Sequence, residues 1–486
     1  MPHPAPDHAV FSSAAMWIGG ERVESGSRGE LSHTNPSTGK VLGSFPAGGA
    51  DEVDRAIRAA RAALPAWSAR HPVERRDILL RAAQLIRERS EELAKVASHE
   101  TGGVYSPQQF VGATEQLTYY AGWADKIEGG VTPMGPGVFN YTTHEPYGVI
   151  AAITSWNGPV ISALMKLGPA LAAGNCVIIK PPELGPFATL VMARIFADAG
   201  LPNGVLNVVL GGPEAAQALV TDPRIGKISF TGGLPTARHI LRAAADNATP
   251  VVTELGGKSA NLVFADADLD QAAGMAAMMG CLAHAGQGCL FPTRLLVEDS
   301  IYDAMAEKVL AIVRATPVGD PFTPGVVSGP VISEAAADRI MGRIEDARTG
   351  GDGKLLTGGE RMGGELADGF FIKPTVFGEV DNRSRLAQEE VFGPVLSMIR
   401  FKDEEDAIEK ANDTAYGLAG YVHTTNLARA HRVAGRLEAG YIGVNAFPPM
   451  PVQAPFGGYK QSGSGREGGR PGIEEYLRLK NVYMAL

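Results

Sequence analysis

At 486 residues the chain is too long for one compact core and implies two or three substructures. Its 45% hydrophobic and 20% charged residues are ordinary for a soluble globular protein. A formal charge of −9, from 44 basic and 53 acidic residues, gives no electrostatic footprint for nucleic acid or an anionic membrane, so a small molecule is the expected partner.

The opening MPHPAPDHAVFSSAAMW has prolines, histidines and an acid where a signal peptide needs a basic start and an unbroken apolar run, and it reads as a loose tail. No window approaches the roughly 20 apolar residues that span a bilayer. MWIGGERV predicts a short strand pair turning at Gly19-Gly20. From Asp51 the pattern is helical, with Ala56, Ile57, Ala60, Ala63 and Leu64 on one face, and ILLRAAQLIRERSEELAKVAS continues it.

From Gly148 short β-rich runs alternate with helical ones. GVIAAIT is a buried strand, VISALMKLGPALAAGN a helix stopping at Gly174-Asn175, and CVIIKP a second strand. FATLVMARIFADAG is a helix ending at Gly200 with Pro202 beyond it. VLNVVL, PEAAQALVTD, KISFTG, a helix through His239 and PVVTELG continue the alternation. Such an order implies a parallel sheet covered on both faces, with ligands beyond the carboxyl ends of its strands. KPPE, LGGP, FTGG and ELGG all fall there.

A second α/β stretch runs from Lys258 to about Phe456: strand ANLVFAD, a helix reaching Ala285, strand RLLVED, a helix from Ile301, and a glycine-rich region at 350–370. Strand VLSMIRF, helix DEEDAIEKAND and strand GYVHTT follow. PFGGYKQSGSGREGG is a loop whose backbone can approach another surface closely. The final YLRLKNVYMAL adds a strand to a sheet edge, in this chain or in a partner.

Three cysteines, Cys176, Cys281 and Cys289, form no C-x-x-C, so no disulfide framework, zinc site or other metal site is expected, and a reducing cytoplasm fits. Cys176 opens an apolar strand and Cys281 lies in a helical run, so both fit small buried hydrophobes. Cys289 follows Ala-Gly-Gln-Gly on a loop with room for a substrate, which suits a nucleophile as well as an inert thiol. Glu254 stands at the end of a strand as an acid or a surface charge. A phosphate-loop reading of TELGGKS fails because Val252 stands where the first glycine is needed. In SWNGP, Asn157 either caps the next helix or donates to an oxyanion, and spacing alone leaves both open.

GNCVIIKPPE, SFTGG, ELGGKS, GQGC, QEEVFGPV, NDTAYGLAG and PFGGYKQSGSGRE occur in the order and approximate spacing of the aldehyde dehydrogenase superfamily, which the chain resembles from about Met16 to its end. The resemblance implies that Cys289 attacks the aldehyde carbon and that the Asn157 amide and the Cys289 N–H hold the oxyanion. Hydride passes to the nicotinamide, and Glu254 activates the water that releases the acid. A glutamate there favours hydrolysis over transfer to coenzyme A, the alternative within the family. Glu467, in the GRE motif, resembles a proton-relay acid.

The resemblance also implies the cofactor contacts. Lys180 and Glu183 match positions that hold the adenosine ribose, and a carboxylate there favours NAD over NADP. Glu390 and Phe392 resemble residues that hold the nicotinamide ribose and ring, while Ser155, Trp156, Gly212, Gly232, Gly233 and Leu255 complete the expected contacts. Gly233 stands where the family often has Ser, KPPE replaces the commoner KPSE, and LGGPEAAQ lacks the full G-x-G-x-x-G. Gly158 stands where many relatives carry a large aromatic, and Ser162 and Met165 resemble tunnel positions often bulkier. A wider pocket for a medium or bulky apolar aldehyde, aromatic or long aliphatic, is therefore expected.

The implied fold is α/β, with a Rossmann-like NAD-binding domain (1–123 and 147–257), an α/β catalytic domain (258–456) and a small β oligomerisation arm (124–146 and 471–486). A homodimer or homotetramer follows from the arm. Two other readings compete: a cysteine hydrolase using Cys289 with His284, and a non-catalytic relative on the same fold.

Overall fold

The computed structural model describes residues 8–447 and 450–486. Part of the expected tail, residues 1–7, lies outside the described residues. The rest is not loose, since Ala9–Ser12 form a helical turn that buries Val10 and Phe11.

Two sheets carry the molecule. In the first, five parallel strands lie in the spatial order Val251–Glu254, Lys227–Thr231, Val149–Ile153, Cys176–Lys180 and Leu206–Val208. Every residue of Val149–Ile153 and Cys176–Lys180 is buried, which accounts for their unbroken apolar runs. Met16–Ile18 and Glu21–Val23 extend one edge antiparallel, and Gly463–Ser464 closes the other against Thr253 and Glu254. The chain moves outward from Val149–Ile153 through two strands and then returns to its other side at Lys227–Thr231. The crevice at that reversal is where open sheets of this kind bind ligands.

The flanking helices follow the apolar periodicity. Ala50–Ser68 buries Val53, Ala56, Ile57 and Ala60, whereas Ala63 and Leu64 are only partly covered. The next helical run breaks at Arg89 into Pro72–Glu88 and Ser90–Thr101. Pro159–Ala172 and Phe187–Asp198 are buried over most of their surface, as befits helices covered on two sides.

The second sheet has seven strands, in the order Lys354–Thr357, Thr375–Gly378, Val395–Phe401, Arg294–Glu298, Ala260–Val263, Ala419–His423 and Tyr441–Val444. All neighbours are parallel except the first pair. The glycine-rich region at 350–370 thus supplies an edge strand, Lys354–Thr357, as well as turns. The C-terminal strand Leu477–Ala485 pairs along its whole length with Val138–Pro146 of the same chain. Among the described residues, no helix is long and apolar enough to cross a membrane.

Candidate active site

Cys289 lies just beyond a helix made of three successive types of turn. Leu269–Ala277 is α-helical, Met278–Leu282 widens to a π turn, and Ala283–Gly286 closes in a tight turn with His284 and Ala285 at φ 48° and 50°. The expected helix to Ala285 is therefore interrupted, because the last residues must leave the helix to bring Gly286-Gln287-Gly288 across the second sheet. Gln287 pins the loop: its Nε2 donates to the His284 carbonyl at 2.9 Å, and its Oε1 accepts from the Ile332 N–H at 2.9 Å. Asn157 Nδ2 donates to the Gln287 carbonyl at 3.0 Å. Gly158 is the N-cap of Pro159–Ala172 and no side chain caps that helix, so the Asn157 amide is tied to the cysteine loop instead. Its second hydrogen is left for another acceptor.

The Cys289 thiol is half-buried, whereas Cys176 and Cys281 are fully buried. Burial, reinforced by the Glu390 and Glu254 carboxylates, pushes the Cys289 thiol up to about 12. A thiol of this kind is neutral at pH 7 and needs a base or a cation beside it before it can attack. Among the described residues no hydrogen bond joins it to His284, whose side chain is exposed and lines the cavity.

Glu254 ends its strand with both carboxylate oxygens buried and without a hydrogen-bond partner. Burial first, then the Glu467 carboxylate, raises its pKa well above the ordinary value. The glycine-rich loop folds over it, and at Gly457, φ 156°, a Cβ would lie 2.8 Å from Glu254 Oε1. Glu467 is also buried and accepts from Lys166 Nζ at 2.7 Å; Lys166 in turn donates to Ser229 Oγ at 3.0 Å. No motif in the sequence points to Lys166, although a lone charge within the apolar VISALMKLGPALA signals a buried partner.

On the other side of the loop stand the expected cofactor residues. Lys180 Nζ donates to Glu183 Oε1 at 3.1 Å, and the Glu183 side chain is 40% exposed, which leaves its carboxylate free to accept further hydrogen bonds. Gly212 and Gly233 are the N-caps of Pro213–Thr221 and Leu234–Ala245, and Gly232 N–H donates to the Glu254 carbonyl at 3.1 Å. Glu390 Oε1 accepts from the Gly257 N–H at 3.0 Å, an approach that needs glycine at 256, where a Cβ would lie 2.1 Å from Glu390 Oε2. Phe392, at φ 51°, meets the Trp156 ring edge-on at 5.5 Å. Leu255 is buried, and the Ser155 N–H donates to Ser162 Oγ at 3.3 Å.

Asn157, Gly158, Met165 and His284 line a cavity of about 630 Å³ between the two sheets' loops. Ser162 does not: it is buried, its hydroxyl is taken up by the Ser155 N–H, and it belongs to the packing of the loop rather than to the cavity wall. The wall is mostly apolar and includes Phe110, Val160, Ile161, Tyr441 and Phe456. Among the described residues it contains no lysine or arginine, and its one acid, Glu115, pairs with Arg87 at 3.6 Å.

The aldehyde dehydrogenase family model matches residues 23–482. Among solved structures, betaine aldehyde dehydrogenase from Staphylococcus aureus, in complex with NAD+, superposes with a TM-score of 0.95 at 36% identity, covering 97% of this chain and 95% of that one. HpcC from Thermus thermophilus has a TM-score of 0.94 at 41% identity, covering 97% and 93%. A mutant form of an aldehyde dehydrogenase from Bacillus cereus has a TM-score of 0.95 at 36% identity, covering 98% of each chain. With a family model matched over residues 23–482 and an asparagine tethered to the loop that carries Cys289, this chain belongs to the aldehyde dehydrogenase family.

Proposed function

We propose that the chain oxidises a medium or bulky apolar aldehyde, aromatic or long aliphatic, to its carboxylic acid, using NAD. The observation that carries this reading is the apolar, cation-free cavity of about 630 Å³ with Asn157 in its wall and the Cys289 loop tethered to that asparagine. The wall offers no lysine or arginine to hold a carboxylated substrate, and Gly158 adds no side chain to it.

Cys289 adds to the aldehyde carbon as its thiol proton passes to solvent, and the free hydrogen of the Asn157 amide meets the oxygen that becomes negative. Bound NAD would supply the acceptor for the hydride lost as the thiohemiacetal becomes a thioester. Glu254 then takes a proton from the water that hydrolyses it, a role for which a raised pKa suits a carboxylate near neutral pH. Glu467, held in place by Lys166, receives that proton. Lys180 and Glu183 would hold the adenosine ribose, the N-terminus of Leu234–Ala245 the pyrophosphate, and Glu390 with Phe392 and Trp156 the nicotinamide end. The exposed Glu183 carboxylate suits a ribose hydroxyl and repels a 2′-phosphate, and the S. aureus relative is in complex with NAD+.

The domain division 1–123 with 147–257, 258–456, and 124–146 with 471–486 is part of this reading, as are a homo-oligomer built through the ribbon of Val138–Pro146 and Leu477–Ala485 and a reducing, cytoplasmic setting for three free thiols. The test is the appearance of NADH across aldehydes from acetaldehyde to benzaldehyde and decanal, with NAD or NADP and without coenzyme A. NAD-dependent turnover with higher kcat/KM for the larger aldehydes is expected. A preference for acetaldehyde overturns the substrate class, and turnover only with coenzyme A overturns the role of Glu254.

A further inference from the structure

We infer that the substrate carries a hydroxyl on its apolar body and that the His284 imidazole, reaching the cavity from the turn before Cys289, recognises it. This rests on the aldehyde oxidation proposed above and names its substrate class more narrowly.

The loop that carries the nucleophile also fixes His284. Its backbone takes φ 48°, ψ 29°, and that of Ala285 φ 50°, ψ 40°. Two successive left-handed residues without glycine are rare and persist only where their surroundings hold them. Gln287 does so: its N–H, at 3.1 Å, and its Nε2, at 2.9 Å, both donate to the His284 carbonyl, while its own carbonyl accepts from Asn157 Nδ2. The side chain so aimed is exposed and lines the cavity. Gly103 has no side chain to cover the ring, and a Cβ there would lie 3.8 Å from Nδ1. Among the described residues, neither ring nitrogen has a hydrogen-bond partner. Cys289 packs in one cluster with Met165, Tyr441 and Phe456, which line the cavity, so the thiol adjoins the same wall. Other polar side chains of the wall are committed or stand apart: Thr101 Oγ1 donates to the Ala97 carbonyl at 2.7 Å, Glu115 pairs with Arg87, and the exposed Gln109 and Gln453 lie outside the turn of the nucleophile.

An exposed imidazole is hydrated until a substrate fills the space beside it, and a hydrocarbon that displaces the water leaves both nitrogens unpaired. A hydroxyl restores a bond, since it donates to the bare nitrogen or accepts from the protonated one. The protein packed around the cavity lowers the imidazole pKa, so at about pH 8 the ring is neutral and offers both roles. A carboxylate fits poorly, because a neutral ring does not balance its charge and the wall holds no lysine or arginine. A site that hydrogen-bonds such a group disfavours the analogue that lacks it, because the protein group is then left unpaired on binding.

The test compares aldehydes that differ only in a methyl or a hydroxyl at one carbon: straight chains of increasing length, and benzaldehydes bearing an ethyl or a hydroxymethyl group at each ring position. At the position that reaches His284, the hydroxylated aldehyde should have about tenfold higher kcat/KM than its methyl isostere, with the difference mainly in KM. His284→Gly, which accepts the left-handed backbone and removes the ring, should abolish that preference, and so should His284→Phe, which keeps a ring without nitrogens. The preference is a ratio taken within each enzyme, so a general loss of activity from a displaced loop cancels. For a variant too weak to assay, the thermal shift given by the matching methyl ketones, which have no aldehyde hydrogen to lose, reads the same preference. An unaltered enzyme that does not favour the hydroxyl at any position overturns the inference, as does a preference that survives both variants, the result expected if Gln109 or Gln453 recognises the group. Either result leaves the aldehyde oxidation standing, whereas absence of NADH from every aldehyde refutes the proposed function itself.

Discussion

Burial raises the pKa of both Glu254 and Cys289, helped by the Glu467 carboxylate at the first and by the Glu390 and Glu254 carboxylates at the second, so the proposed mechanism asks different things of them: a proton taken up at Glu254 and one given up at Cys289. The two steps separate in Glu254→Gln, which keeps the shape of the side chain and removes the base. This variant should release about one NADH per active site in a rapid burst and then stall with a thioester on Cys289, its steady rate falling about 10²–10⁴-fold. Stopped-flow absorbance together with the mass of the intact acyl-enzyme checks this, and unimpaired steady turnover would remove Glu254 from the mechanism. Single residues are legible in the sequence where a motif places a reactive group on a loop or strand end, as for Cys289, Glu254 and Asn157. They are not legible where the role depends on a distant partner. Lys166 finds Glu467 some 300 positions later, as the 301-residue separation of their hydrogen bond shows. Ser162 matches a tunnel position because its helix lines the cavity, yet its hydroxyl points to the backbone N–H of Ser155.

The α-helix, π turn and left-handed pair that precede Cys289 make one device. Apolar periodicity carries through Met278–Leu282 because a π turn changes the hydrogen-bond spacing without ending the buried face, so the sequence shows a helix and hides its change of type. The stop itself is readable in Ala-Gly-Gln-Gly. Gly286 has φ 71°, and a Cβ there would lie 2.0 Å from the Gly393 carbonyl oxygen, a backbone atom that cannot swing aside. Gly286→Ala should therefore displace the loop, and a shift of an ångström at the nucleophile costs about 10²-fold in kcat. Gly274, within Leu269–Ala277 and with no atom near the position of a Cβ, is the control: Gly274→Ala should leave kcat unchanged and raise stability by ~1 kcal/mol. Circular dichroism, thermal melts and kcat on the pair distinguish loop displacement from general unfolding. Equal activity in both variants would show that the turn at Gly286 tolerates a side chain.

At the scale of the whole molecule, the alternation of strands and helices foretells two parallel sheets, because each buried strand reads as an apolar run and each covering helix as a periodic one. The sequence does not foretell which strand Leu477–Ala485 joins, since an alternating amphipathic segment pairs with any open edge. It joins Val138–Pro146, and the resulting ribbon is only two strands wide, a unit marginal in water by itself. Leu479 and Tyr483, 64% and 58% exposed, share one face of it, and Phe139 and Met484 lie opposite each other on the other face. Val131 and Met134 are exposed at its base. This much apolar surface on both faces of so thin a ribbon calls for cover, and a second copy of the chain provides it in the proposed homo-oligomer. Replacing Leu479 and Tyr483 together by lysine leaves every backbone pairing of the ribbon in place while charging one face. Sedimentation velocity should then show the assembly of the unaltered protein shifting to smaller species, with Cys289 and the cavity intact because neither touches the ribbon. If the unaltered protein already sediments as a monomer, the ribbon is not an assembly surface; if the doubly charged protein keeps its full assembly, the contact lies on the Phe139 and Met484 face or elsewhere.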